Sequence, residues 1–135
     1  MGATVRFQDW PSRLEAIIRS RERAPFSWGT NDCVLFAADA INAMTGCDPW
    51  PGIRGRYRTA LGASRLIKQM GGIESAVSES FDRIKPSFAG RGDLLLFRSA
   101  RGPYLGICTG IYGCAPAEFG LLARPYTDAL MAWKV

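Results

Sequence analysis

The sequence contains no histidine. That absence removes the commonest general base at neutral pH and the commonest metal ligand. There is no CxxC pair either, and the spacing of Cys108 and Cys114 is not that of a usual zinc site. Neither a metal nor any other cofactor is indicated. No apolar run is long enough to span a bilayer, so no membrane partner is expected. The N-terminus, MGATVRFQDWPSR, lacks the apolar centre of a secretory signal, and Arg6 stands where a myristoylation site needs Ser or Thr. Synthesis in the cytosol is the expectation, with Cys33, Cys47, Cys108 and Cys114 as free thiols. No internal repeat, low-complexity segment or interdomain linker interrupts the chain.

What is present fits one compact domain over residues 1–135. The chain has 135 residues, of which 47% are hydrophobic, enough for a real core and too many for disorder. The formal charge is +5. It favours acidic partners without establishing nucleic-acid binding, because Arg13, Arg19 and Arg23 read as the solvated faces of helices.

Apolar spacing predicts helices in the first half. Pro11 suits an early helical position, Asp9 or Ser12 can cap, and Leu14, Ile17 and Ile18 form one edge before Pro25 ends the helix by Ala24. A second helix follows Asn31 and Asp32. Cys33, Ala37, Ala40 and Met44 share one face, and Gly46 stops it. CDPWPGIRGRYRT, from Cys47 to Thr59, is a Pro/Gly-rich loop. Ala63, Leu66, Ile67 and Met70 give a third helix closed by Gly71 and Gly72, and IESAVSESF a short fourth. After Pro86 the pattern changes to short apolar runs, GDLLLFRS, YLGICTGIYG, EFGLLARPY and ALMAWKV, which read as antiparallel strands. Helices first and strands second predict an α+β fold, with N-terminal helices packed on a C-terminal antiparallel sheet.

Cys33 is the candidate nucleophile. A cysteine in the first helical turn meets unsatisfied N–H groups and the positive end of the dipole, and both favour thiolate. The competing reading is a small buried core residue. Trp10, Trp28, Trp50 and Trp133 suit packing better than a glycan groove. Asp93, in the RGD of Arg91 to Asp93, suits a turn hydrogen bond at a strand start. Gly106 and Gly110 suit close approach or a bulge.

NDCVLFAADAI, then GRGDLLLF, then YLGICTGI resemble in order the motifs of the NlpC-type cysteine peptidase superfamily, a compact relative of the papain fold. The resemblance implies Cys33 as nucleophile at a helix start, facing a sheet that carries the base. The family's histidine position is occupied by Tyr104, and a phenol is a poor base at neutral pH. The third family position falls near Cys114 to Glu118. Loss of general acid–base help removes about 10²–10⁴ in rate, leaving little peptidase activity.

DWPSRL, PFSWGTNDCVLFAADAI, TGCDPWPGIRGRY, RGDLLLF, LGICTG, GLLARP and the terminal AWKV resemble, over nearly the whole chain, a family encoded among the tail-tip genes of tailed phages and prophages. That resemblance implies a virion tail component, made in the host cytoplasm, with other tail-tip subunits as partners and host cell-wall peptidoglycan as a candidate ligand. The expected function is a structural or adaptor protein on a degenerate, catalytically inactive peptidase frame. The alternative is an active cysteine hydrolase of peptidoglycan crosslinks, using Cys33 with a base other than histidine. A nucleic-acid-binding module is disfavoured by the lack of basic runs with interleaved aromatics. In the long loop, Trp50, Arg54, Arg56 and Tyr57 are the expected partner contact, since Arg and Trp are enriched at interface hot spots. The competing reading has Trp50 and Tyr57 pin the loop to the body.

Overall fold

Trp10 and Pro11 open the first helix, α1 (Trp10–Arg21), where a missing proline amide costs nothing. The computed structural model describes residues 5–135, and the first four residues of the stretch read against a secretory or acylation signal lie outside the described residues. Asp9 precedes α1 but makes no side-chain cap; it pairs instead with Arg13, 2.8 Å away, as Glu15 does with Arg19. The helix ends sooner than Pro25 alone requires. Ala24 closes a turn onto Arg21 so that Pro25 can bridge Phe119 across the molecule.

Helix α2 (Cys33–Thr45) is the buried axis of the fold. Asp32, in extended backbone, caps its start, and Gly46 ends it at φ +78°. Ala37, Ala38 and Ala40 are buried along it. Their small side chains let it approach both α1 and the sheet. Helix α3 (Ala60–Gln69) is capped by Thr59, whose hydroxyl accepts the Gly62 amide at 3.0 Å. It buries Ala63 and half-buries Leu66, Ile67 and Met70. Helix α4 (Ile73–Ser78) follows the double-glycine turn.

Six antiparallel strands form one sheet: β1 (Asp82–Ile84), β2 (Leu94–Ser99), β3 (Gly102–Cys108), β4 (Tyr112–Pro116), β5 (Leu121–Pro125) and β6 (Met131–Lys134), in the order β1-β6-β2-β3-β4-β5. The fold is thus α+β, with N-terminal helices on a C-terminal antiparallel sheet. Two details differ from the sequence reading. The sheet begins before Pro86, because β1 pairs with β6 near the chain's end. The run YLGICTGIYG is two strands, broken where Gly110 adopts φ +118° and the Thr109 amide reaches the Tyr112 carbonyl at 2.7 Å.

Alternation along the strands divides the sheet into two faces. Leu94, Leu96, Leu105, Ile107 and Trp133 pack with α2 in the main core. Leu95, Phe97, Cys108 and Ala132 form a second cluster on the opposite face, covered in part by Tyr104 and Tyr126. Phe97 lies against Gly106 and Gly113; a side-chain carbon on Gly113 would come within 2.6 Å of its ring.

A buried ion pair ties the chain ends to the sheet. Asp93 is fully buried. Its Oδ1 accepts from Arg6, 2.9 Å, and from the Val135 amide, 3.0 Å, while Oδ2 accepts the Gly90 amide at 2.9 Å. The expected turn hydrogen bond is there, joined to a second job that links both ends of the domain. No helix among the described residues is long and apolar enough to cross a membrane.

Candidate functional site

Cys33 is the first residue of α2, and its surroundings follow from how that helix starts. Asp32 is 1% exposed, yet both of its carboxylate oxygens are engaged. Oδ1 accepts the Leu35 amide at 3.0 Å, closing the cap. Oδ2 accepts the Gly29 amide at 2.9 Å and the Tyr57 hydroxyl at 2.7 Å. Tyr57 thereby brings the long loop onto the helix start. Gly29 allows the two segments to meet: at φ +84°, any side-chain carbon there would sit 2.0 Å from the Tyr57 carbonyl oxygen. Burial, reinforced by donation to Asp32, raises the Tyr57 phenol above its ordinary value, so the tyrosine is a fixed donor rather than a base.

The sulfur of Cys33 meets the backbone of Leu105 on β3. The residue retains partial exposure, but dense packing around its sulfur dominates its chemistry. Burial pushes the thiol up from 9.0 to about 11. The Asp32 charge adds to the rise, while the nearby backbone of Leu105 and of the helix start opposes it. The helix start therefore loses to burial, and the thiol form is favoured at neutral pH.

The strand facing Cys33 does not present the expected partner. Leu105 points into the main core, so Tyr104, its neighbour in sequence, belongs to the other face. There Tyr104 stacks on Phe97, with ring centroids 5.4 Å apart, directly across the β2–β3 register. The Arg124 guanidinium lies over the same Phe97 ring. Pairing Tyr104 with Cys33 is thus corrected: an odd–even alternation places them on opposite sides of the sheet. Glu118 lies exposed in the turn after β4, where its carbonyl accepts the Phe26 amide at 3.2 Å.

Beside Cys33 the surface dips into a small apolar cavity of about 20 Å³, room for little more than one water. Val34, Ile53, Leu66, Met70 and Leu105 line it, with Trp50 and Tyr57 at its loop side. A cavity of that size and lining offers neither a base nor an oxyanion donor set.

The loop contact expected from Trp50, Arg54, Arg56 and Tyr57 also needs correction. Trp50 and Tyr57 are each 6% exposed, and they pin the loop to the body. Arg54 folds back onto Asp39, which Arg21 also grips, and donates to the Thr30 carbonyl at 3.2 Å. Arg56 alone of the four faces solvent without an ion pair among the described residues. The four tryptophans are dispersed. Trp133 is buried and donates to Ser78 at 3.0 Å, Trp10 is half-buried beneath the Arg6 guanidinium, and Trp28 is exposed against Phe26.

Sequence reasoning placed the helix start after Asn31 and Asp32 and offered Tyr57 as a loop anchor only in the competing reading, and it did not show that Tyr57 binds Asp32. No local signal joins residues so far apart along the chain. Among the described residues no group of three His, Cys, Asp or Glu side chains converges as a metal site would. No curated protein matches the chain. A family model described as "Domain of unknown function (DUF6950)" matches residues 5–135, and the chain belongs to that family.

Proposed function

We propose that this protein is a non-catalytic structural or adaptor subunit of a phage tail tip, built on the frame of an NlpC-type cysteine peptidase. The observation that carries the inactive half of this reading is the pairing of Cys33 with Leu105. A cysteine hydrolase needs a group that takes the thiol proton and later delivers it to the leaving group. Here the facing side chain is aliphatic, the thiol is pushed up to about 11, and the chain has no histidine to supply from elsewhere. The frame itself supports the family half: a cysteine opens the central helix, and that helix packs on an antiparallel sheet whose strands carry the GDLLLF and YLGI motifs in the order the resemblance requires. The tail assignment rests on the resemblance of the whole chain to tail-tip proteins.

Two experiments separate the halves. Purified protein and its Cys33→Ser variant are incubated with purified peptidoglycan, and released peptides are followed by mass spectrometry. The expected result is no Cys33-dependent release; such release would restore the hydrolase reading. Virions of a phage encoding this chain are then purified and analysed for the protein. Its recovery at fixed stoichiometry is expected, and its absence from virions would remove the tail assignment.

A further inference from the structure

We propose that the outer face of α3, with the loop that leads into it, is a docking surface for an acidic segment of another protein. No acidic residue occurs between Asp48 and Glu74, whereas Arg54, Arg56, Arg58, Arg65 and Lys68 all lie there. The fold turns this imbalance outward. Tyr57 is drawn inward onto Asp32, and its neighbours Arg56 and Arg58 are exposed. On α3, Leu61, Ser64, Arg65 and Lys68 fall on one helical face, and all four are exposed. Among the described residues, Arg56, Arg58, Arg65 and Lys68 form no ion pair.

The contrast with the rest of the surface matters. Arg13 and Arg19 on α1 each have a carboxylate one turn away, Arg124 in β5 pairs with Asp128, and Arg83 reaches Glu74. Arg23, Lys85, Arg91, Arg98 and Arg101 also lack an ion pair among the described residues; what sets this face apart is a stretch of chain with five cations and no carboxylate between Asp48 and Glu74. Such a field attracts an anionic partner and speeds its encounter. Leu61 decides its class. It is 60% exposed between the cations. A phosphate backbone gains nothing from a leucine, whereas a peptide of acidic and apolar residues covers it while its carboxylates meet the guanidinium groups. The proposal does not rest on the tail assignment.

The test uses the full chain and three labelled probes in fluorescence anisotropy: a glutamate-rich peptide containing leucines, the same peptide with serine in place of leucine, and oligothymidylate. The leucine-containing peptide is expected to bind most tightly, with affinity falling as salt rises. Replacing Arg58, Arg65 and Lys68 together by Gln should weaken it about tenfold or more. Leu61→Ser should weaken the leucine peptide about fivefold and leave the serine peptide unchanged. Melting temperatures confirm that each variant is folded, and Leu61→Ser carries the test alone if the triple variant is not. Tighter binding of oligothymidylate would assign the face to nucleic acid and overturn the proposal. So would absence of peptide binding, or a Leu61→Ser variant that binds both peptides as the parent does.

Discussion

Leu105 presents its backbone to the sulfur of Cys33, where the family resemblance would put a base. The side chain that the family resemblance puts in that role, Tyr104, is turned to the other face of the sheet against Phe97 and Arg124. Cys33 thus opens a capped helix with its sulfur enclosed in apolar packing.

Removing the Tyr57 hydroxyl should cost stability without affecting the core. In Tyr57→Phe, Asp32 keeps its bonds to Gly29 and Leu35 but loses the third, in a buried setting. A hydrogen bond to a charged group contributes about 1.5–3 kcal/mol. Urea unfolding should show a loss in that range with an unchanged m-value. A loss below about 0.5 kcal/mol would mean that the phenol is not what anchors the loop.

Arg6→Ala should be more damaging than any other single arginine change. It leaves fully buried Asp93 without its close cationic partner, with only Lys134, 3.9 Å away, remaining. Breaking one side of a buried pair costs about 3–5 kcal/mol. Arg19→Ala, at an exposed pair on α1, should cost under about 1 kcal/mol. Similar melting temperatures for the two variants would show that the Asp93 clasp contributes little.

Gly29→Ala and Gly52→Ala form a matched pair. Both positions have positive φ, +84° and +85°, so each variant bears a backbone cost of about 1–2 kcal/mol. Only Gly29 faces an obstacle, the Tyr57 carbonyl oxygen, whereas nothing lies within 4 Å of a carbon added at Gly52. Gly29→Ala should therefore unfold at markedly lower denaturant than Gly52→Ala. Equal midpoints would contradict the close packing of the two loops.

The sequence made the fold class legible because its signals are local. The alanine-rich face of α2, the cap at Asp32, the stop at Gly46 and the leucine run of β2 each depend on neighbours in the chain. Strand β1 escaped notice because three largely exposed residues carry no period, and its partner β6 comes from the far end of the chain. The break at Gly110 was hidden by an uninterrupted apolar run on either side. At the site, the position of Cys33 could be read, but its facing residue could not. Whether Tyr104 or Leu105 points at α2 is a question of strand register, and shifting the alternation by one residue exchanges a phenol for an aliphatic side chain. Trp50 and Tyr57 carry the composition of an interface, and only packing reveals that they are spent on the loop's own attachment.

Stability should fall at alkaline pH. The thiols of Cys33 and Cys114 are pushed up by burial, to about 11 and about 12, from ordinary values of 9.0, and the Tyr57 phenol is raised as well. Below pH 9 these groups are protonated in both states, and their contribution is fully present. Above pH 9 the unfolded thiols ionise first, so folded protein binds more protons and stability declines as pH rises toward the folded values. For Cys33 the loss amounts to roughly 2–3 kcal/mol. Unfolding curves from pH 8 to 11 should show the decline, and Cys33→Ala should show a shallower one. Stability that is level across this range would contradict the buried thiols.

The most direct test of an inactive cysteine is the titration of Cys33 itself. Alkylation by iodoacetamide, mapped by mass spectrometry in the native protein, gives a rate for each cysteine at each pH. Exposed Cys47 should react first, half-buried Cys33 slowly, and buried Cys108 slowest. The Cys33 rate should climb about tenfold per pH unit from pH 7 to 10 with no plateau, as a thiol near 11 requires. A Cys33 rate that levels off below pH 8 would reveal an activated thiolate, and would contradict a thiol held up by burial with no base beside it.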